Sequence, residues 1–354
     1  MAKYLLLRFS SLGDVVLATS AARLIRQRRP DARVVLLTKA AFAPILASQP
    51  DLDEVWALEP GATLAATAAR IRKAKFDSVV DLHANLRSRI LGMVSGAPLS
   101  RWKSQGFKRR LRVWAPKLAL AKAQPEPVFV RYARAAGSAL GAHAGDFGAK
   151  DAPLPRLGVD PAAAAWAGDW LKAQGLRADQ KLLAVAPGAA WATKRWGVEH
   201  LAQCLDLVSE FDKVRFLLLG SRGEGPLLDA VQAAMRKSRP HALRSESETG
   251  DLRRLAALIT RADLFLGHDS GSMHVADALG VPVTVLFGPT VEAFGFYPVG
   301  AGHRVFERSL DCRPCSVHGT ATCPLGHHDC MRTIEPFGVA LHLRRTLGLE
   351  TAAP

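Results

Sequence analysis

Ala262–Asp–Leu–Phe–Leu–Gly–His–Asp–Ser–Gly–Ser–Met–His–Val–Ala–Asp–Ala–Leu–Gly280 is the stretch that decides the fold class. Leu264, Phe265 and Leu266 form a short buried strand, Gly267 opens a turn, and a helix is expected from about Ser270. Serine is a favoured N-cap because its hydroxyl takes one of the orphan amides of the first turn. Gly271 lets a ligand come close to the backbone, and Gly280 ends the helix before a second buried strand, Val281–Phe287. The turn aims first-turn amides, the hydroxyls of Ser270 and Ser272, and His274 at one spot above the strand ends. Such a spot suits an anion of the diphosphate kind. An ordinary capped turn would also explain Ser-Gly-Ser. It would not need the polar group His268, Asp269 and His274 set between apolar strands.

The same alternation of strand and helix runs upstream to the N-terminus. Strand Leu182–Ala186 leads into Pro187–Gly188 and the loop to Lys194–Arg195–Trp196. Helix 198–210, strand Val214–Leu219, a turn ending at Glu224, a further helix and helix 251–260 follow. Earlier come strand Tyr4–Phe9, a helix after Asp14, strand Val34–Leu37 and helix 40–48. Strand Val55–Leu58, helix 63–73 and strand Ser78–Leu82 complete this series. This spacing means right-handed βαβ crossovers and parallel sheets. Pro125, Pro127, Pro153, Pro155 and Pro161 bracket a helix at about 130–141 and mark a linker, with the boundary near residue 158. The architecture expected is α/β, two Rossmann-like doubly wound domains with strand ends facing a central cleft. Residues 1–158 form the first, 159–335 the second, and a last helix within 336–354 packs back at the junction.

No G-x-G-x-x-G follows the first strand and no Walker-type lysine loop occurs, which disfavours dinucleotide enzymes and P-loop ATPases. Asp14 lies just past the end of the first strand, where open α/β sheets place ligand chemistry. It is either a helix-dipole partner or a general base. Lys194 is placed to offset charge on a departing phosphate. Glu224, past another strand end, is placed to accept ribose hydroxyls.

The 354 residues are 49% apolar and 22% charged, a globular composition with room for two cores. No apolar run reaches the roughly 18 residues of a membrane span, and Arg8 and Asp14 interrupt any leader-like run, so a cytoplasmic location is expected. The net charge is +15, and it is confined to the first half: residues 1–158 hold 26 Lys/Arg against 11 Asp/Glu, while 159–354 hold 21 of each. Residues 82–125 contain ten Lys/Arg and no acid. Such a field attracts nucleic acid, anionic membrane or an anionic substrate. Basic residues between Trp102, Phe107 and Trp114 come without a nucleic-acid motif, which favours phosphates and carboxylates of an amphiphile at a membrane surface.

Cys312, Cys315, Cys323 and Cys330 cluster late, with His318, His327 and His328 among them. A structural zinc, reduced thiols packing a loop, and disulfides all remain open readings of this spacing.

Five blocks together resemble glycosyltransferase family 9, the lipopolysaccharide heptosyltransferases and their relatives. They are Arg8–Val16, Asp81–Arg87, Pro187–Trp196, Asp269–His274 and Phe287–Thr290. The tail from Cys312 to Cys330 is similar to the branch that adds the second heptose of the inner core. The resemblance implies a GT-B fold and inverting transfer from ADP-L-glycero-D-manno-heptose to an anionic lipopolysaccharide core (Kdo/heptose–lipid A) at the inner leaflet. Asp14 then matches the catalytic base and Lys194 the diphosphate lysine. Ser11, Gly13, Glu224, Asp269, Ser270, Gly271, Ser272 and His274 complete the donor contacts. Asn85, Arg87, Arg101, Lys103, Arg109 and Arg110 are the acceptor candidates. No cofactor is implied, and no Asp-x-Asp metal motif stands beside the donor loop. No nucleic-acid partner is expected; the enzyme would be cytoplasmic and peripheral to the inner membrane. The other readings are a related transferase using a different sugar nucleotide, and a non-catalytic binder of anionic glycolipid or nucleic acid.

Overall fold

The structure, a computed structural model, describes residues 1–102, 104–115, 126–142, 147–209, 212–245 and 247–349. Within them the chain divides into two compact units: Met1–Gly106 with Gln124–Val159, and Phe107–Ala123 with Asp160–Pro354.

The first unit opens with β1 (Lys3–Leu7), α1 (Leu12–Leu17), α2 (Thr19–Arg28), β2 (Arg33–Lys39) and β3 (Glu54–Leu58). Next come α3 (Leu64–Ala74), β4 (Ser78–Asp81), α4 (Leu86–Val94) and β5 (Leu99–Arg101). Helix α5 (Gly106–Trp114) lies between this series and α6 (Val128–Ala139). The five strands are parallel in the order β3-β2-β1-β4-β5, with Leu5 beside Val35 on one side and Val79 on the other. These strands are continuous apolar runs because a parallel sheet is covered on both faces. One face buries Leu5, Leu7, Val35, Leu37 and Val79 against Ile71 of α3 and Leu91 of α4. On the other face α2 and α6 pack together. The helix expected at 40–48 is a 3-10 segment, Ala40–Leu46, containing Pro44, which has no amide to donate to an α-helical bond.

The second unit contains α7 (Pro161–Ala173), β6 (Lys181–Val185), α8 (Val198–Val208), β7 (Val214–Leu218), α9 (Gly225–Ala234) and β8 (Ala242–Arg244). It continues with α10 (Leu252–Thr260), β9 (Leu264–His268), α11 (Gly271–Ala278), β10 (Val283–Phe287) and β11 (Arg304–Glu307). Helices α12 (Asp329–Arg332) and α13 (Pro336–Leu347) close it. Its six strands are parallel in the order β11-β10-β9-β6-β7-β8.

In both sheets the chain starts in the middle, winds one way, then returns and winds the other. The reversal falls between β1 and β4 in the first unit and between β6 and β9 in the second. At such a switch point adjacent loops leave in opposite directions and open a crevice at the strand carboxyl ends. Topology therefore nominates two loop pairs: those after β1 and β4, and those after β6 and β9.

Two assignments differ from those expected. Helix α5, read as part of the first 158 residues, groups with the second unit. Arg112 Nη1 donates to the Ala293 carbonyl at 3.0 Å and the Arg109 guanidinium lies over the Phe296 ring. Helix α13, expected at the junction, packs on α8 and β9, where Val339, Leu343 and Leu347 join the core of the second unit.

Candidate active site

In the first unit the loop after β1 carries Arg8, Ser11 and Asp14. Asp14 sits in the first turn of α1, one turn beyond Ser11, so its carboxylate folds back over the helix start. Oδ2 accepts from the Ser11 hydroxyl at 3.0 Å and the Ser11 amide at 3.3 Å, and pairs with Arg8 Nη2 at 2.7 Å. Oδ1 accepts from the Tyr132 hydroxyl of α6 at 3.0 Å. Arg8 is itself held by the Leu82 carbonyl at the end of β4, 2.6 Å from Nη1. The two loops of the switch point are thus tied together through one guanidinium.

Burial alone would raise the Asp14 pKa. The charge of Arg8 and the hydrogen bonds from Ser11 and Tyr132 outweigh it, and the carboxyl is held below its ordinary value. Asp14 is consequently an anion throughout the neutral range. Burial, followed by the adjacent Asp14 charge, pushes the Tyr132 hydroxyl well above its ordinary value, so it remains a donor. His83, whose ring meets Phe9 at 4.8 Å, is lowered to about 4 by burial and then by Arg8, so it is neutral at pH 7.

Tyr132→Phe keeps the ring and removes one hydrogen bond that lowers the Asp14 pKa. The folded-state pKa then rises, and the acid limb of kcat/KM is expected to move to higher pH. A fall in kcat of about two- to tenfold at pH 7 with KM unchanged is the companion result. An acid limb that stays in place would show that Tyr132 does not set this carboxylate.

In the second unit the loops after β6 and β9 meet. Lys194 Nζ contacts Asp269 Oδ2 at 2.6 Å, with both side chains largely buried, and the same oxygen accepts from the Thr290 hydroxyl at 2.8 Å. The loop carrying Lys194 is tied at both ends. Arg195 donates to the Ala189 carbonyl at 2.8 and 3.1 Å, and the Trp196 amide donates to His268 Nε2 at 2.9 Å. Burial pushes His268 down to about 4, which keeps its imidazole neutral and able to accept that bond. Ser270 occupies the N-cap of α11 but makes no capping bond. Its hydroxyl lies 2.9 Å from that of Ser272, so the expected hydroxyl-to-amide cap is replaced by a hydroxyl pair. The amides of the first turn are left without a hydroxyl over them, at the positive end of the helix. Gly280 has φ +77 and terminates α11 as expected. His274 is buried on α11, its ring edge-on to Phe296.

Glu224, past the end of β7, accepts from the Ser221 amide and hydroxyl at 2.8 and 2.9 Å. Its other oxygen lies against Gly188, where an added Cβ would sit 1.8 Å from Oε1. The glycine is required by this close approach. Gly188→Ala is expected to push the carboxylate off Ser221 and weaken ADP binding about three- to tenfold. Titration calorimetry reads it, and an unchanged Kd would remove Glu224 from the nucleotide site.

The acceptor candidates have local partners. Asn85 caps α4, accepting from the Ser88 amide at 2.8 Å, and Arg87 donates to the Ala62 carbonyl at 3.2 Å. Arg101 pairs with the fully buried Asp81 at 3.1 Å. Arg110 is exposed on α5, Arg109 covers Phe296, and Lys103 lies outside the described residues.

Among the described residues no group of three or more His, Cys, Asp or Glu is arranged to hold a metal ion, which leaves the zinc reading of Cys312, Cys315, Cys323 and Cys330 without a ligand geometry. All four are free thiols. Burial pushes Cys330 up to about 11 and also raises Cys315, which keeps both protonated. The segment braces the loops that carry Lys194 and Thr290. Thr193 and Thr320 exchange hydrogen bonds at 2.8 Å, and His328 Nε2 lies 2.7 Å from the Thr193 carbonyl. Arg313 donates to the carbonyls of Gly288 and Thr290 and pairs with Glu307 at 2.8 Å. Arg8, Tyr132, Thr290 and Arg313 were not singled out from the sequence. Arg8 and Thr290 lay within the quoted family blocks and Arg313 within the quoted Cys312–Cys330 tail; Tyr132 carried no local signal.

Known proteins align with this picture. A lipooligosaccharide heptosyltransferase 2 of Campylobacter jejuni subsp. jejuni serotype O:6 is 26% identical over 172 residues, 48% of this chain and 52% of that protein. The chain thus matches about half the length of that relative. A lipopolysaccharide heptosyltransferase 2 of Salmonella typhimurium is 24% identical over an alignment of 361 residues, covering 98% of this chain and 99% of that one. The solved structure of E. coli ADP-heptose lps heptosyltransferase II superposes with a TM-score of 0.76 at 22% identity, covering 99% and 100% of the two chains. That likeness gives the fold, GT-B with two Rossmann-like units. The description "Glycosyltransferase family 9 (heptosyltransferase)" matches residues 64–325, and with the site geometry above, the chain belongs to glycosyltransferase family 9.

Proposed function

We propose that the protein is an inverting heptosyltransferase that moves L-glycero-D-manno-heptose from ADP-heptose to the lipopolysaccharide inner core. The acceptor is a Kdo- or heptose-bearing lipid A at the cytoplasmic face of the inner membrane. The observation that carries this reading is the chemistry at the two switch points: an ionised carboxylate at one, a lysine beside an uncapped helix start at the other. The names of the relatives supply the sugar and the acceptor.

In this reading Asp14 takes the proton of the acceptor hydroxyl. The oxygen attacks the anomeric carbon from the face opposite ADP, the bond from that carbon to the diphosphate oxygen breaks, and ADP leaves with the electron pair. Lys194 and the first-turn amides of α11 offset the charge that grows on the diphosphate. Lys194 pairs with Asp269, whose carboxylate also accepts from the Thr290 hydroxyl, and the diphosphate replaces that carboxylate as the partner of the lysine. Ser11 and Gly13 shape the turn that presents Asp14. Glu224 takes the ribose hydroxyls. Positive charge from lysine and amides serves where a divalent ion otherwise would, and Thr320, His328 and Arg313 of the late segment brace the loops.

The test is transfer of labelled heptose from ADP-heptose to Kdo-lipid A and to its heptosylated form, in the presence of EDTA. Expected is one product with inverted anomeric configuration. Preference for UDP-GlcNAc would leave a family 9 transferase with another donor, and nucleic-acid binding without transfer would leave a binder.

A further inference from the structure

The loop after β4 presents His83 at the switch point of the first unit. Its polar neighbours Asp81, Asn85, Arg87 and Ser88 each make a hydrogen bond within the protein. His83 differs. Its Nδ1 is buried and meets no hydrogen-bond partner among the described residues, although the residue as a whole is only half-buried. A buried polar atom left in this state calls for a reason. An enclosed lone pair is tolerated better than an enclosed N–H, so the tautomer with its proton on Nε2 is favoured, and Nε2 is the nitrogen at the open edge.

The backbone fixes where that edge stands. Oδ1 of the buried Asp81 accepts from the His83 and Ala84 amides at 3.0 and 2.8 Å. Ala84 takes φ +57, uncommon for a residue with a side chain. The ring lies against Phe9, just past the end of β1. The carbonyl before it, that of Leu82, holds Arg8, and Arg8 holds Asp14. The charges of Arg8, Asp81, Asp14 and Lys39 all act on the ring. The Asp14 carboxylate has an open side as well. Oδ2 already takes three donors, from the Ser11 amide, the Ser11 hydroxyl and Arg8, whereas Oδ1 takes only Tyr132. Each carboxylate oxygen offers about two lone-pair sites, so Oδ1 is the atom with room for an incoming hydroxyl. One such contact leaves a sugar free to turn about it, and productive attack needs a second.

We propose that His83 supplies the second contact: Nε2 donates to an oxygen of the acceptor sugar and turns the attacking hydroxyl toward Oδ1 of Asp14. This deepens the proposed transfer and rests on it for the identity of the acceptor. The proton of the hydroxyl goes to Asp14, and His83 gives a hydrogen bond only. The test measures binding and turnover of the full chain with deacylated Kdo-lipid A. His83→Phe keeps a ring against Phe9 and removes Nε2. Acceptor Kd and KM should rise about tenfold, kcat should fall about tenfold, and ADP affinity should stay within about twofold. His83→Gln offers an amide N–H that does not titrate, and should recover most of both losses with the acid limb of kcat/KM in place. In the wild type the ring-nitrogen NMR signal of His83 should shift on adding acceptor and not on adding ADP. An unmoved signal would overturn the contact even where a variant fails to fold. So would wild-type acceptor affinity in a folded His83→Phe protein, or equal losses in the Phe and Gln variants. Acceptor binding that depends on His83 without heptose transfer would fail the proposed reaction and leave the contact standing. No acceptor binding by the wild type would overturn both.

Discussion

Asp14→Asn is expected to lower kcat about a thousandfold while leaving ADP affinity within about twofold. The asparagine fills the same space and can still accept from Tyr132, but it cannot take a proton. The substitution has a second consequence that must be separated from the first. Arg8 is almost wholly buried and its anionic partner is Asp14 at 2.7 Å. Removing one member of a buried pair leaves an uncompensated charge, at a cost on the order of 3 kcal/mol of stability. A loss of activity through unfolding would imitate loss of the base. The double variant Arg8→Gln with Asp14→Asn removes both charges and should recover most of the thermal stability without recovering turnover. Single-turnover transfer at saturating donor and acceptor, set beside thermal melts of both variants, distinguishes the two effects. A folded Asp14→Asn protein turning over at the wild-type rate would falsify the base assignment.

The pH dependence follows from the same carboxylate. Its pKa is depressed in the folded chain, so its contribution to stability is present above the unfolded value near 3.8 and is lost as pH falls through the folded value. Activity lost on the acid side should therefore precede or accompany unfolding. At pH 6 to 8 the ionisation of Asp14 limits neither.

Lys194→Ala is expected to reduce kcat about a hundredfold or more and to weaken ADP binding about tenfold to a hundredfold. Two effects add here. The cation that meets the departing diphosphate is gone, and Asp269, left with only the Thr290 hydroxyl of its two partners, presents a buried negative charge where an anion must bind. The double variant Lys194→Ala with Asp269→Asn separates them. Binding of ADP should recover in part because the repulsion is gone, and kcat should not, because no charge replaces the lysine in the transition state. Equal recovery of both would reduce Lys194 to a counter-ion for Asp269. Lys194→Arg is not a neutral control, since a planar guanidinium cannot occupy the position of a compact ammonium held by one carboxylate.

Much of the fold was legible because its central strands are buried on both faces. Leu5–Leu7, Leu182–Val185 and Leu264–Leu266 are apolar runs that end at polar loops, and a sheet with helices on both sides permits no other pattern. Of the four edge strands only β3 was legible, as Val55–Leu58; the other three were not. Leu99–Arg101, Ala242–Arg244 and Arg304–Glu307 are three or four residues long, polar in part and half exposed, so neither run length nor alternation marks them. Helix α7 escaped for the opposite reason: its first turns, after Pro161, are nearly all alanine and carry no contrast between faces.

The candidate site divides along the same line. Asp14, Lys194, Glu224 and Asp269 each follow a buried strand, and this placement together with the family blocks was enough to select them from sequence. What the sequence left unspecified was which strand lies beside which. Only the tertiary structure puts β9 against β6 and so brings Asp269 to Lys194 across 75 residues, and only the packing of α6 brings Tyr132 to Asp14 across 118. It also turned the late cysteine segment from a possible metal site into a brace for Thr193 and Thr290, through Thr320, His328 and Arg313. Local pattern is written in periodicity and burial, which a single segment carries by itself. Partnership between distant side chains depends on sheet order and helix packing, which no single segment contains.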